Sequence, residues 1–375
     1  MELAAGKPRG RVVSSDASPA DPPPRALSDR IKSLALALGF DRAGICSAAP
    51  SAETRFVREW VRRGHAAAMG YIERRVDERE DPSRLMPGIQ SVIVVGLAHD
   101  PPAELPEATG EETSSSPIRI ASYVGKEDYH DVMLEPLRAL ATGLEALVPG
   151  PVETRCYVDT GPVLERVFAA RAGLGWQGKN TCLIDRELGS RMLLGVVLCS
   201  LDLVHDVPEA DHCGTCRACL DACPTNAFEE PYVLDARKCI SYNTIESREG
   251  IDPLLRGEHG DWAFGCDICQ DVCPWNRRRE AGDLPDPMGL RGRLAPDPQW
   301  VRAELRWVLS LDEEAWRAAT RGSALRRSRY RGLMRNALVA AGNSGDSGLV
   351  ALVEGFAAGE DTMLAEHARW ALARL

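Results

Sequence analysis

The chain has 375 residues, 44% of them hydrophobic, and a formal net charge of −10. It contains no apolar run approaching the length of a membrane-spanning helix, so we expect a soluble protein of two or three domains with no membrane partner. The acidic balance excludes a protein that coats nucleic acid through overall basicity, but it leaves room for a local basic surface.

The first 27 residues are rich in proline, alanine and serine. They lack the apolar segment of a signal peptide or membrane anchor. Their composition predicts a disordered tail over residues 1–27.

Residues 28–200 alternate helical and strand patterns. Ser28 is a candidate N-cap for a first helix that stops at Gly39, and the run over 91–98 (SVIVVGLA) is typical of a buried strand. Residues 100–117 predict a surface loop because they are rich in proline and serine. The order resembles successive βαβ units, which favours an α/β or α+β domain with a central sheet. The other predicted elements are strands at 43–46, 153–159 and 191–199, and helices at 52–63, 128–148 and 162–172.

Eight of the twelve cysteines fall within a predicted domain over residues 201–282. Their spacing is C-x2-C-x2-C-x3-C-P, then a single cysteine, then C-x2-C-x3-C-P. In two-cluster ferredoxins the cysteine before proline ligates the other cluster. The pattern therefore predicts a ferredoxin-like domain with two 4Fe–4S clusters, one bound by Cys213, Cys216, Cys219 and Cys273 and the other by Cys223, Cys239, Cys266 and Cys269.

The main alternative is a pair of zinc sites with four cysteine ligands each, but zinc sites use cysteine pairs rather than three cysteines at successive gaps of two. Cys239 is separated from Cys266 by 26 residues, and we expect a helix over 243–248 to fill that gap. Cluster ligands must stay reduced until they bind metal, which indicates a reducing, cytoplasmic compartment. The other four cysteines are predicted to be buried structural thiols: Cys46, Cys156, Cys182 and Cys199.

Residues 283–375 become helical after a proline-bearing linker. Amphipathic segments at 330–341, 348–356 and 362–375 are separated by short polar turns, a spacing typical of HEAT-like helix pairs. So few repeats are not stable alone, and we expect them to pack on the rest of the protein.

A basic run precedes these helices. Residues 321–336 hold six arginines and no acidic residue, which predicts phosphate-backbone binding with a slope of log K against log salt of roughly −4 to −5. A solvated helix start is the simpler interpretation. The six are Arg321, Arg326, Arg327, Arg329, Arg331 and Arg335.

Three further groups of residues are candidates for a site. Asp159 ends a predicted strand, where it either faces a ligand crevice or caps the next helix. Residues 173–181 (GLGWQGKNT) offer close backbone approach, although a tight structural turn is the simpler interpretation. Asp128, Tyr129 and His130 bring three proton-active groups to a helix start, where a lone histidine is most often a capping or surface residue.

Taken together, these residues resemble epoxyqueuosine reductase, an iron–sulfur and cobalamin enzyme family of tRNA queuosine synthesis. The resemblance spans residues 28–375. It rests on 81–88 (DPSRLMPG), 128–130 (DYH), 158–166 (VDTGPVLER), 173–181, 211–241, 264–276 and 331–336 (RGLMRN).

The resemblance implies that a base-off cobalamin lies between the N-terminal module and the ferredoxin-like module, with Asp159 as the proton donor. It implies that Asp128, Tyr129 and His130 face the modified wobble base, and that the helical end grips the anticodon stem-loop. The implied cobalamin-lining residues are Arg79, Asp159, Gly178, Lys179, Asn180 and Ser241. The implied tRNA contacts are Arg326, Arg327, Arg329, Arg331 and Arg335.

Opening an epoxide to an alkene with loss of water takes two electrons and two protons. We expect the clusters to pass electrons singly to cobalamin, supplied by a flavodoxin or ferredoxin system, in a monomeric protein. Asp159 can act as the acid only if burial raises its pKa from about 3.9 by roughly three units, which costs about 4 kcal/mol. The alternatives are a cobalamin-dependent reductive dehalogenase and a simple ferredoxin-type electron carrier.

Overall fold

The computed structural model describes residues 24–100, 116–278, 284–301 and 303–375. Most of the predicted tail and most of the loop predicted at 100–117 lie outside these ranges. The first helix begins at Pro24, so the start predicted at Ser28, and with it the end of the tail, is wrong. The Ser28 hydroxyl accepts a hydrogen bond from the Val204 amide at 3.0 Å and therefore ties the helix to a distant loop.

The N-terminal part combines a central sheet with helices and short hairpins. Its elements are α1 (Pro24–Ala37), β1 (Arg42–Ser47), α2 (Ala52–Arg62), α3 (Gly70–Glu73), α4 (Val76–Glu80), β2 (Ser91–Ala98), β3 (Arg119–Ile120), α5 (Tyr129–Glu145), β4 (Thr154–Tyr157), α6 (Glu165–Arg171), β5 (Trp176–Gln177), β6 (Leu183–Ile184) and β7 (Met192–Cys199).

The central sheet has the strand order β1-β2-β7-β4, and every neighbouring pair is antiparallel. The βαβ order expected from the sequence is therefore wrong, because such units would pair neighbouring strands in parallel. Helices cover both faces of the sheet. Ile31 of α1 and Leu137 of α5 pack on one face, and Phe168 of α6 packs on the other. All eight residues of β2 are consequently buried.

The cysteine-rich part consists of short elements. They are α7 (Ala218–Asp221), β8 (Phe228–Glu230), β9 (Val233–Leu234), α8 (Ile240–Ile245), α9 (Pro253–Arg256), β10 (Trp262–Phe264) and α10 (Ile268–Asp271). The insert after Cys239 contains a helix, but α8 starts directly after that cysteine and the insert also holds α9 and β10. Strand β10 pairs in parallel with β3, which fixes the insert to the N-terminal part.

The C-terminal part is helical, as predicted. Its elements are α11 (Leu290–Leu294), α12 (Pro298–Val301), α13 (Leu305–Ser310), α14 (Glu313–Ala319), α15 (Arg329–Ser344), α16 (Val350–Ala357) and α17 (Thr362–Leu372). Leu338 of α15 and Ala368 of α17 share a buried core with Ile118 and Phe264 from the earlier parts, so the helices do pack on the rest of the protein. Within the four described ranges, no helix combines the length and apolarity needed to cross a membrane.

Candidate active site and cysteine clusters

Asp159 lies in a turn between β4 and α6. Its φ is 56°, in the left-handed region that residues with a side chain rarely adopt. The amide of Thr160 donates to the carbonyl of Val158 at 2.6 Å, and the amide of Asp159 donates to Oε1 of Glu165 at 2.6 Å. Helix α6 starts only at Glu165, so the helix start predicted at residue 162 and the interpretation of Asp159 as its N-cap are both wrong. The turn occupies that stretch of chain instead.

His130 connects Asp159 with a second carboxylate. Its Nδ1 lies 2.6 Å from Oδ1 of Asp128, and its Nε2 lies 3.4 Å from Oδ2 of Asp159. Asp128 also caps α5 by accepting the His130 amide at 3.1 Å. The Tyr129 ring stacks on the imidazole at a centroid distance of 4.0 Å. The helix start thus presents the three predicted residues together, beside Asp159.

The electrostatics of this group keep the His130 imidazole in its protonated, positively charged form at neutral pH. Burial disfavours the charged imidazole, but the hydrogen bonds to Asp128 and Asp159 raise the pKa of His130 to about 9. Desolvation opposes ionisation of Asp159, yet the hydrogen bond and charge of His130, with a smaller contribution from Tyr129, hold the pKa of Asp159 below its ordinary value. Its side chain is 66% exposed. The raised pKa that the sequence analysis required of Asp159 is therefore absent from the protein on its own.

Glu165 is a site residue that the sequence analysis did not single out, although it belongs to the VDTGPVLER motif. Burial, and then the charge of Asp159, raise the pKa of Glu165 to about 8. At neutral pH this carboxyl is therefore mainly neutral, and it accepts the Asp159 amide without adding a second negative charge. The sequence places Glu165 six residues after Asp159 in the same motif, which could have suggested a role in the site. Its contact with the turn, however, depends on where α6 begins, and the sequence analysis predicted that start three residues too early.

The structure brings the eight motif cysteines together in two sets. Cys219 has Cys213, Cys216 and Cys273 as its charge neighbours, and Cys266 has Cys239 and Cys223, with Cys269 close to Cys239 and Cys266. Within residues 24–100, 116–278, 284–301 and 303–375, no three His, Cys, Asp or Glu side chains converge tightly enough for a single metal ion. A cubane cluster holds its four thiolates farther apart than one ion does.

The surroundings of these thiols suit negatively charged sulfur. Trp176 Nε1 lies 3.5 Å from the Cys213 sulfur, and the Ala227 amide lies 3.4 Å from that of Cys223. Burial, with smaller contributions from Cys239 and Cys223, raises the pKa of Cys266 to about 12. Such a thiol ionises readily only when bound metal supplies positive charge. The sites therefore fit metal clusters.

The remaining four cysteines differ in their surroundings. Cys46 and Cys199 are buried and Cys156 is partly buried, in line with structural thiols. Cys182 differs because its side chain lies beside that of Cys269. The prediction of a purely structural thiol therefore misses its contact with the second cysteine set.

The glycine-rich segment 173–181 joins the N-terminal part to the cysteine sets. Lys179 Nζ donates to the carbonyls of Gly214 and Cys216 at 2.6 and 2.9 Å. Asn180, which is 3% exposed, donates to the Cys269 carbonyl at 3.3 Å. Both side chains are directed at the cysteine loops, and the amide and carbonyl of Gly178 and the carbonyl of Lys179 bond within the protein. Among the described residues, the amides of Lys179 and Asn180 therefore remain for a cofactor.

Arg79 is buried beside the Asp159 region. Its Nη1 donates to the backbone carbonyls of Tyr71 and Arg75 at 3.3 and 3.2 Å. Burial lowers the pKa of Arg79, with Tyr71 and Asp159 among the groups that act on its charge. A buried guanidinium bonded to carbonyls rather than to a carboxylate fits an anionic ligand. Ser241, in α8, is partly exposed.

The arginine run divides into three groups. Arg335 is fully buried and donates to the backbone carbonyls of Ser247, Glu249 and Asn243, so its predicted contact with tRNA is wrong. Its guanidinium instead donates hydrogen bonds to backbone carbonyls of α8 and of the loop after it. Arg327 pairs with Glu246 at 2.7 Å, and Arg331 pairs with Asp361 at 2.9 Å.

Three arginines of this run keep their charge available. Arg321, Arg326 and Arg329 are exposed, and none of them has an ion-pair partner among the residues that the structure describes. Arg327 also lies over the ring of Tyr71, at 5.8 Å from its centroid. This contact brings the helical end of the chain close to the Arg79 and Asp159 region.

Comparisons with known proteins agree with this geometry. Residues 212–276 match the family model described as a 4Fe-4S double cluster binding domain. Together with the proton-bearing group around Asp159, this places the chain in the class of iron–sulfur oxidoreductases.

Residues 79–160 match the model described as epoxyqueuosine reductase QueG, DUF1730. An epoxyqueuosine reductase of Xanthomonas campestris pv. campestris is 38% identical over 356 residues, which cover 95% of this chain and 98% of that protein. One from Gloeobacter violaceus is 41% identical over 322 residues, covering 85% and 97%. The chain belongs to the epoxyqueuosine reductase family.

Solved structures of the family share the fold. The crystal structure of an epoxyqueuosine reductase with an epoxyqueuosine-modified tRNA-Tyr stem loop matches with a TM-score of 0.82 and 25% identity, over 93% of this chain and 90% of that one. A structure from Bacillus subtilis, whose catalytic aspartate loop is swung out of the active site, matches with the same TM-score, identity and coverage. The Streptococcus thermophilus enzyme matches with a TM-score of 0.81 and 28% identity, over 92% and 89%.

Proposed function

We propose that this protein reduces epoxyqueuosine to queuosine at the wobble position of tRNA anticodons, with cobalamin that is reduced by two 4Fe–4S clusters. The observation that carries the proposal is the Asp128–His130–Asp159 group, which holds a proton on the solvent-facing side of the turn after β4. Reduction of an epoxide to an alkene and water consumes two protons as well as two electrons, so a group that holds protons at the reacting oxygen is needed.

The cluster ligands are proposed as two crossed sets. The charge neighbours of Cys219 support one cluster on Cys213, Cys216, Cys219 and Cys273. Those of Cys266 and Cys269 support a second on Cys223, Cys239, Cys266 and Cys269. We propose residues 201–282 as the cluster domain, between an α/β domain at 28–200 and a HEAT-like helical domain at 283–375.

Cobalamin, when bound, would supply the strongly reducing centre that two single-electron clusters alone do not provide. Arg79 suits the anionic phosphate of such a cofactor, since the residue is only 8% exposed and its guanidinium donates to two backbone carbonyls. The backbone of Gly178, Lys179 and Asn180, the Ser241 side chain and Asp159 are the other proposed contacts.

The proton is assigned to Asp159 and His130 as a pair. In the free protein the pKa of His130 lies at about 9 and that of Asp159 below its usual value, so the pair holds one proton at neutral pH. Covering the exposed carboxylate would shift the proton from His130 towards Asp159, because desolvation disfavours a buried charge. Asp159 then gives this proton to the departing oxygen and the second proton comes from solvent, while Asp128 keeps the imidazole oriented.

The substrate is proposed to be a tRNA anticodon stem-loop, as in the related complex. Asp128, Tyr129 and His130 would face the modified base. The exposed Arg326 and Arg329 would contact phosphates, and the ion-paired Arg327 and Arg331 are secondary candidates. We also infer that the turn carrying Asp159 can move, as the catalytic loop does in the Bacillus subtilis relative. A monomer in the cytoplasm, with a flavodoxin or ferredoxin system as electron donor, completes the proposal.

The test is a defined reaction. Anaerobically reconstituted protein is incubated with cobalamin, a chemical reductant and epoxyqueuosine-bearing tRNA, and the released nucleosides are then analysed by mass. Loss of one oxygen atom from epoxyqueuosine supports the proposal. Unchanged epoxyqueuosine, in a sample whose spectrum shows both cluster and corrin absorption, would contradict it.

A further inference from the structure

We propose that Glu165 is the latch that holds the turn carrying Asp159 in its catalytic position. This inference rests on the proposed function, because it assigns Glu165 as a positioning residue for the proposed acid. The turn, defined here as residues 158–164, is called the Asp159 loop.

The latch is one hydrogen bond between a rigid helix and the exposed tip of a turn whose residues at 158 and 161–163 are buried. The Asp159 amide donates to Oε1 of Glu165 at 2.6 Å. Glu165 is the first residue of α6, and Phe168 and Ala169 of the same helix are fully buried against the central sheet. Asp159 and Thr160 are exposed. The bond therefore ties the movable part of the loop to a fixed element.

The loop needs such a tie because its conformation is costly. Residues with a side chain adopt the left-handed region only occasionally, and Asp159 has a φ of 56°. The bond from the Thr160 amide to the Val158 carbonyl lies within the loop and would move with it. The other contacts from Asp159 to the body of the protein are made by its side chain, with His130 at 3.4 Å, which is long for a strong hydrogen bond, and with Tyr129. Glu165 thus provides the short contact from the Asp159 backbone to the body of the protein.

The chemistry of Glu165 suits this role. A carboxylate beside Asp159 would repel it, but burial keeps the Glu165 carboxyl mainly neutral at pH 7. Its oxygen accepts a hydrogen bond from the Asp159 amide. The negative charge of the Asp159 side chain is balanced by His130 and not by Glu165. A glutamine at this position offers the same neutral acceptor with nearly the same shape, whereas an alanine offers none.

The first test is hydrogen exchange of the Asp159 amide in the cluster-loaded protein without RNA or cobalamin. Glu165→Ala should exchange this amide about tenfold faster than the wild type, since loss of one hydrogen bond of typical net strength changes an opening equilibrium by about that factor. Glu165→Gln should exchange it at close to the wild-type rate. Glu145→Ala, at the far end of the 17-residue helix α5, is the control and should leave it unchanged.

The second test is steady-state kinetics with epoxyqueuosine-bearing tRNA. Glu165→Ala should lower kcat about tenfold with little change in KM, because the loop positions the acid rather than binding the RNA, and Glu165→Gln should restore most of the rate. Wild-type exchange in Glu165→Ala would overturn the latch, and so would a glutamine variant as impaired as the alanine variant. The exchange experiment uses no substrate. It therefore tests the latch even if the protein fails to reduce epoxyqueuosine.

Discussion

Asp128 sets the proton affinity of the site, and replacing it with asparagine should show this directly. Burial lowers the pKa of His130, but the contacts with the two carboxylates outweigh it and raise the pKa from 6.5 to about 9, a net difference worth about 3 kcal/mol. The Asp128 contact is 2.6 Å and partly buried, whereas the Asp159 contact is 3.4 Å and its carboxylate is exposed. We therefore assign more than half of the difference to Asp128. Asp128→Asn should lower the pKa of His130 by roughly 1.5 units.

The assay is a pH titration of histidine ring carbons by NMR, in cluster-loaded protein with labelled histidine. The chain has seven histidines, so His130→Gln identifies the signal of interest by its disappearance. Asp131→Asn is the matched control, because Asp131 is an exposed acid in the same helical turn. A His130 pKa that stays near 9 in Asp128→Asn, or that falls equally in Asp131→Asn, would refute the reasoning.

The same shift links folding to pH. The pKa of His130 is higher in the folded chain than its ordinary value of 6.5, so its charge stabilises the fold fully below pH 6.5. This stabilisation is lost as the pH rises through 9. The alkaline limb of the activity profile should follow the same titration, and in Asp128→Asn it should move to lower pH by the amount that NMR measures.

Further predictions concern the acid, the RNA and the clusters. Asp159→Asn should keep cluster and corrin absorption but lose turnover in the nucleoside assay, and wild-type turnover would exclude Asp159 as the acid. Arg326→Ala should weaken stem-loop binding and reduce the salt slope by about one, and an unchanged slope would remove this arginine from the interface. Adding Cys213→Ala to Cys273→Ala should remove no further iron, whereas adding Cys266→Ala should remove the second cluster. The reverse pattern in iron analysis would exclude the crossed ligand sets.

Local patterns in the sequence were sufficient to predict many of the elements. The apolar run at residues 91–98 coincides with β2, and the amphipathic segments near the C-terminus correspond to α15, α16 and α17. The pairing of the strands could not be predicted in this way. Antiparallel order depends on which distant strands meet, such as β2 and β7, and both are apolar runs of eight residues.

The candidate site was predictable where chemistry follows from residue type, and less so where it follows from packing. Asp159 and the group at the start of α5 could be found from motifs. Arg326 and Arg335 look alike in the sequence, yet one is exposed and the other is enclosed by backbone carbonyls of a segment nearly 90 residues earlier. The raised pKa required of Asp159 was deduced for a covered carboxyl, whereas in the free protein His130 lowers it.

The proton-bearing group and the cysteine sets are held by one continuous series of contacts. Arg166 follows Glu165 in α6, and its guanidinium donates to the Thr181 carbonyl at 2.9 Å. Next to Thr181, the Asn180 side chain accepts the Cys182 amide at 3.2 Å and donates to the Cys269 carbonyl at 3.3 Å. The helix that fixes Asp159 therefore also fixes the loop that borders the second cysteine set. A reduction that needs electrons and protons at one substrate atom requires such shared support, because a displacement of about 1 Å costs on the order of a hundredfold in rate.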